Sequence, residues 1–96
     1  MSIRVALTPE ARRAVQLMDL PEVVVVEVLL RVQALRENPA SRLVRADEPF
    51  DGMVLYFDFI DPANRLHQYH FIIHAVYSQD EETLIVVDAM CHRDFV

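Results

Sequence analysis

The chain has no lysine and no tryptophan, and only one cysteine and one glycine in 96 residues. With Cys91 alone, no intramolecular disulfide forms, which fits a reducing compartment. Without lysine, nine arginines are the whole basic complement, and the net charge is −6. Long hydrophobic runs are missing as well. Val23 to Val26 and Val28 to Leu30 are broken by Glu27, and neither is long enough to span a bilayer. The opening Met1-Ser2-Ile3-Arg4 lacks the apolar stretch of a signal peptide. There are no internal repeats and no low-complexity tracts. These exclusions lead to the expectation of a soluble cytoplasmic protein with no membrane contact.

What is present is apolar material for one core. Hydrophobic residues make up 53% of the chain, and this length corresponds to one domain over residues 1–96. A core this small does not hide every apolar side chain, which leaves room for a homodimer. Charge is divided unevenly. Residues 1–45 hold seven arginines and five acids, a balance of +2, and residues 46–96 hold two arginines and ten acids, a balance of −8. The acidic half does not attract phosphate backbones at long range, so nucleic-acid binding would need a local basic patch.

Ile3, Val5 and Leu7 alternate with Arg4 and Ala6, the pattern of a half-buried strand. Thr8-Pro9-Glu10 then supplies an N-cap, a first-turn proline and an acidic first turn for a helix to about Met18. Asp19 with Glu22 three residues on reads as a capping box for a second helix to about Glu37. Its expected core stripe is Val25, Val28, Leu29, Val32 and Leu35, with Glu27 and Arg31 as an i,i+4 pair. The β-branched run Val23 to Val26 prefers strand. Its length without a turn signal and the helical spacing that follows decide for helix, stopped at Asn38-Pro39. Leu43 to Arg45 is a candidate short strand in an irregular stretch containing Gly52. Strands follow at Met53 to Ile60, Leu66 to Tyr77 and Thr83 to Cys91. Their short connections imply antiparallel hairpins. The expected fold is α+β, in the order β-α-α-β-β-β, with two helices packed on one face of an antiparallel sheet.

The turns suggest a register in which Phe57 faces Tyr69 and Tyr69 faces Cys91. One side then carries Met53, Leu55, Phe57, Tyr69, Phe71, Ile73, Ala75, Ile85, Val87, Ala89 and Cys91 and should pack on the helices. The other side collects Tyr56, Asp58, Gln68, His70, His74, Asp88 and His92, with Val54, Ile72, Val86 and Met90 between them. This polar side is the expected functional surface.

Four segments together resemble the RelE/ParE superfamily of type II toxin–antitoxin toxins. They are the first strand with Leu7-Thr8-Pro9-Glu10-Ala11, the helix end Leu35-Arg36-Glu37-Asn38-Pro39, the strand Tyr69-His70-Phe71-Ile72-Ile73-His74, and the ending Cys91-His92-Arg93-Asp94-Phe95. The resemblance implies a toxin neutralised by a cognate antitoxin. RelE-like members cut messenger RNA on the ribosome without metal, and ParE-like members inhibit gyrase. Phe95 stands where the family usually has tyrosine, lysine is absent, and His70 and His74 stand where arginine is frequent.

If the chain is a metal-independent ribonuclease, His70, His74 and His92 are its proton-transfer candidates. Arg65 and Arg93 would hold phosphate, and Tyr56 would contact substrate. His70, Asp88 and His92 fall close together in this register and could ligate an ion. No metal-site spacing accompanies them, so the expectation is no metal and no cofactor. Cys91 on the apolar side reads as packing rather than nucleophile, and His67 as a rim residue. Arg12, Arg13, Arg42 and Arg45 read as charged helix-side surface. The alternative to a nuclease is a non-catalytic module whose acidic sheet receives a basic partner.

Overall fold

In a computed structural model, residues 3–47 and 51–95 are described. Strand β1 (Arg4–Leu7) leads into helix α1 (Pro9–Leu17). The Thr8 side chain accepts the Ala11 N–H at 3.1 Å, which satisfies one unpaired first-turn donor as the sequence anticipates. Helix α2 (Glu22–Gln33) follows. Here the capping box fails. Asp19 takes a left-handed conformation at φ 49, just past α1, and Pro21 occupies the N-cap without a side-chain hydrogen bond. Asp19 ends one helix and does not begin the next, because a left-handed residue reverses the chain after α1. The expected helix to Glu37 ends at Gln33 and tightens into a 3₁₀ turn over Ala34–Arg36. Asn38, also left-handed, then breaks the run, and a second 3₁₀ turn covers Pro39–Ser41.

Strands β2 (Val44–Arg45), β3 (Met53–Ile60), β4 (His67–Tyr77) and β5 (Thr83–Phe95) complete the chain. The observed order is therefore β-α-α-β-β-β-β, with one strand more than expected. The sheet runs β1-β5-β4-β3-β2. It is mixed and not antiparallel, because β1 pairs parallel with β5, Arg4 opposite Thr83 and Leu7 opposite Val86. No turn connects these two strands, so local sequence carried no information about their relative direction.

Ala11 of α1 and Val24, Val28, Val32 and Leu35 of the second helical segment pack on one side of the sheet, against residues such as Phe57, Tyr69, Phe71 and Ile73. Within α2 the buried residues differ from expectation by one step: Val24 replaces Val25, and Leu29 points outward. Phe57 and Phe71 stack with ring centroids 4.9 Å apart. The Glu27–Arg31 pair forms at 2.8 Å as expected.

Both expected hairpin registers shift. Phe57 faces Phe71, not Tyr69. The β3–β4 loop closes further along than expected, with the Asp61 N–H donating to the His67 carbonyl and the His67 N–H to the Asn64 carbonyl. That shift is two residues, so every β3 and β4 side chain keeps its side. In the second hairpin Tyr77 faces Leu84, one residue off, so Leu84 and Val86 enter the core in place of Ile85 and Val87. A β-bulge then leaves Val87 unpaired between Val86 opposite Ala75 and Asp88 opposite His74. The extra residue restores the original alternation from Asp88 onward. Among the described residues no helix is long and apolar enough to cross a membrane.

Candidate functional site

Period-two alternation places Tyr56 and Asp58 on the side of the sheet away from the helices. His70 and His74 of β4 and Asp88, His92 and Asp94 of β5 share that side. The bulge decides who meets whom. His70 lies opposite His92, and Asp88 lies opposite His74. The expected His70–Asp88–His92 grouping is thus not formed, because Asp88 is four residues up β5 from His92.

Two other aspartates take its place. His70 Nδ1 is 2.6 Å from Asp58 Oδ1, and its Nε2 is 3.0 Å from Asp94 Oδ2. Asp94 also receives His92 Nε2 on its second oxygen at 3.0 Å. The two imidazoles stack with centroids 6.1 Å apart. Both bonds of His70 are made in full only when both ring nitrogens carry hydrogen, that is, by the imidazolium. The Asp58 hydrogen bond is the main cause that raises the His70 pKa; desolvation opposes it, and Asp94 adds to it. The His70 hydrogen bond, followed by that of His92, lowers the Asp94 pKa despite desolvation. Asp94 is the residue that sequence reasoning passed over. It sits two residues after His92 on an alternating strand, so its side was legible, although its reach to His70 was not.

His74 does not join this pair. It is four residues along β4, roughly 13 Å at strand rise. Its Nε2 donates to the Asp51 carbonyl at 2.6 Å. That backbone belongs to the approach to Gly52, whose φ is +100. His74 also lines a depression of about 350 Å³ together with Tyr56, Ile72, Asp88 and Met90. Tyr56 is exposed.

The two expected phosphate holders lie elsewhere. Arg93 follows His92 on the strand and so points to the helix side, where its guanidinium carbon is 5.1 Å from the Tyr69 ring centroid. It lines clefts beside Asp19 and Leu20. Arg65 is exposed in the β3–β4 loop. Among the described residues of β3 to β5, the open side carries aspartates Asp58, Asp88 and Asp94 and no arginine. The remaining candidates behave as surface or packing groups. His67 sits at the rim, edge-on to Phe95 at 4.9 Å. Cys91 is half-buried, and desolvation raises its thiol pKa while Arg93 opposes the shift. Among the described residues, no group of three or more His, Cys, Asp or Glu is arranged to hold a metal ion.

Comparison with protein-family models, curated proteins and solved structures finds no significant match to this chain.

Chemically, the open side offers an ionised carboxylate shared by two imidazoles, a second carboxylate on one of them, and a nearby apolar and aromatic surface. It can exchange protons near neutral pH. It attracts cations and repels phosphate.

Proposed function

We propose that this protein is a toxin-like member of a type II toxin–antitoxin pair, acting in the cytoplasm through protein contact, and that its open sheet face receives a basic segment of a partner. One observation carries the binding mode: Asp58, Asp88 and Asp94 lie on that face with exposed Tyr56 and Met90, and among the described residues of β3 to β5 it carries no arginine. Aromatic and Met side chains within a charged border are the composition of a protein-binding patch. Three carboxylates against the one raised-pKa imidazole of His70 leave an excess of negative charge, which favours a basic partner and speeds its approach. The toxin-like part rests on the RelE/ParE resemblance of the sequence; the first strand, two helices and closing hairpins are present, with β2 and the parallel pairing of β1 in addition to the expected order.

A metal-independent ribonuclease is the second reading. It rests on the His70–Asp94–His92 array, in which exposed His92 shares its carboxylate with a second imidazole. Activating a 2′-hydroxyl needs such a base, but a held phosphate also needs a cation, and Arg93 lies over Tyr69 on the other side of the sheet, while Arg65 is an exposed loop residue.

One titration separates the readings. The chain is mixed with an arginine-rich peptide and, separately, with single-stranded RNA, over a range of salt. Peptide binding that weakens with salt and is lost in Asp58→Asn/Asp94→Asn supports the module. RNA bound more tightly than peptide, and cleaved by wild type but not by His92→Ala, overturns it in favour of the nuclease. Growth arrest on expression of the chain alone, relieved by the product of the neighbouring gene, supports the toxin class, and unimpeded growth refutes it.

A further inference from the structure

Strand β3 stands next to the end of the sheet, and its outer neighbour is too short to cover it. β3 spans Met53–Ile60, whereas β2 is only Val44–Arg45 and pairs with Val54 and Met53. Past Val54, no strand lies along that edge among the described residues. Hydrogen bonds just beyond the two ends of β3 fix which way its backbone groups point. The Asp61 N–H donates to the His67 carbonyl on the β4 side, and the Ala46 N–H donates to the Gly52 carbonyl on the β2 side. An antiparallel ladder alternates residue by residue. The odd-numbered residues of β3 therefore bond to β4, and the even-numbered ones turn outward. Tyr56, Asp58 and Ile60 present their N–H and C=O groups to the open edge, and no backbone group among the described residues takes them. Such an edge is a template for another strand unless it is guarded. This one has no proline, and Asp58 is the one charge between Leu55 and Ile60.

We propose that the open edge of β3 takes an extended segment of a partner protein as a further strand, with basic side chains on the open side of the sheet and apolar ones on the helix side. Strand addition rests on the basic-partner reading above and adds main-chain pairing to it. Main-chain bonds give such a strand its affinity, and its alternating side chains give specificity. On the open side, the Asp58 carboxylate is 60% exposed despite its bond to His70, so a second cation can reach it. An opposite charge directly across the strands is favourable and a like charge is not. On the helix side, half-buried Phe59 lies at the margin of the core and offers apolar surface to a neighbour. Register and charge choose this occupant over a second copy. Outward residues pair only with outward residues, so two antiparallel copies of the edge that use all three set Asp58 against Asp58. The shifted registers that avoid this keep only two residues of each copy, because Val54 is already taken by Val44 and Pro62 has no N–H to give. A basic segment keeps all three and meets Asp58 with a cation.

The probe is a peptide of about eight residues in which arginine and valine alternate, added to the intact, isotope-labelled chain. At saturation, amide exchange at Tyr56, Asp58 and Ile60 should slow about tenfold or more, while Phe57 and Phe59, already bonded to β4, should not change. Peptides N-methylated at every arginine or at every valine should then separate. The set whose N–H groups meet β3 should bind about tenfold or more weakly, because its pairing bonds are lost, and the other should bind as the parent does. A peptide that binds without slowing those three amides, or whose two methylated forms both match the parent, overturns strand addition and leaves the open-face reading standing. A peptide that does not bind at all refutes both. Slowing of the same amides in the free chain, growing from about 5 to about 500 µM protein, assigns the edge to a second copy and also overturns the proposal.

Discussion

Replacing Gly52 with alanine tests how the loop before β3 is fitted to the sheet. Gly52 has φ +100, a conformation that side chains with a Cβ rarely adopt. A Cβ built there lies 2.5 Å from the Ala75 carbonyl oxygen, 2.8 Å from Val76 Cγ1 and 3.2 Å from His74 Nε2. Val76 can rotate away. The carbonyl belongs to β4 beside the bulge and cannot move without disturbing the pairing around Ala75. Backbone strain of this kind costs about 1–3 kcal/mol, and the fixed carbonyl adds to it, for a total of about 3 kcal/mol. In a domain of this size each kcal/mol lowers the melting temperature by about 4–8 °C, so Gly52→Ala should melt about 12–24 °C below wild type. The assay is thermal unfolding followed by circular dichroism, with urea unfolding as a check on the free energy. The His74–Asp51 hydrogen bond lies in the path of any relaxation, so the His74 imidazole resonances should shift as well. A loss under about 1 kcal/mol would show that the loop accommodates a Cβ and that the positive φ is not required.

Stability should depend on pH through the His70–Asp94 pair. The His70 pKa is raised in the folded chain, so its contribution is complete below the free-histidine value of ~6.5 and is lost as pH rises through the higher folded value. The Asp94 pKa is lowered, so its contribution is present above ~4 and is lost as pH falls through the depressed folded value. Both act between those limits. The difference in urea midpoint between wild type and His70→Asn should therefore be largest near pH ~5 and shrink toward pH 8, and a difference that is flat over that range would refute the network. In the core, Phe71 is almost fully buried and stacked on Phe57. Phe71→Ala should cost about 3–5 kcal/mol in urea unfolding, and a loss below about 1 kcal/mol would contradict the packing.

Local signals carried much of this structure. Thr8-Pro9 marks the start of α1 because capping is settled within one turn, and the closing strands alternate because period two is a property of the strand itself. For the same reason the sides on which Tyr56, His70, His74, Asp88 and His92 lie were legible, and so was the separation of Arg93 from His92 by one step of the pleat. The capping box at Asp19 misled because the same residue types serve as a cap or as a left-handed terminus, and the fold chooses between them.

The sequence by itself determined the elements, their order apart from the short β2, and the side of the sheet on which most strand residues stand. Tertiary structure alone decided the parallel seat of β1 beside β5, the burial of Leu84 and Val86, and the meeting of Asp58 and Asp94 at His70. Alternation is written residue by residue, whereas partners across strands depend on loop closure and on one unpaired residue at Val87, whose effect is felt only when the whole sheet has assembled.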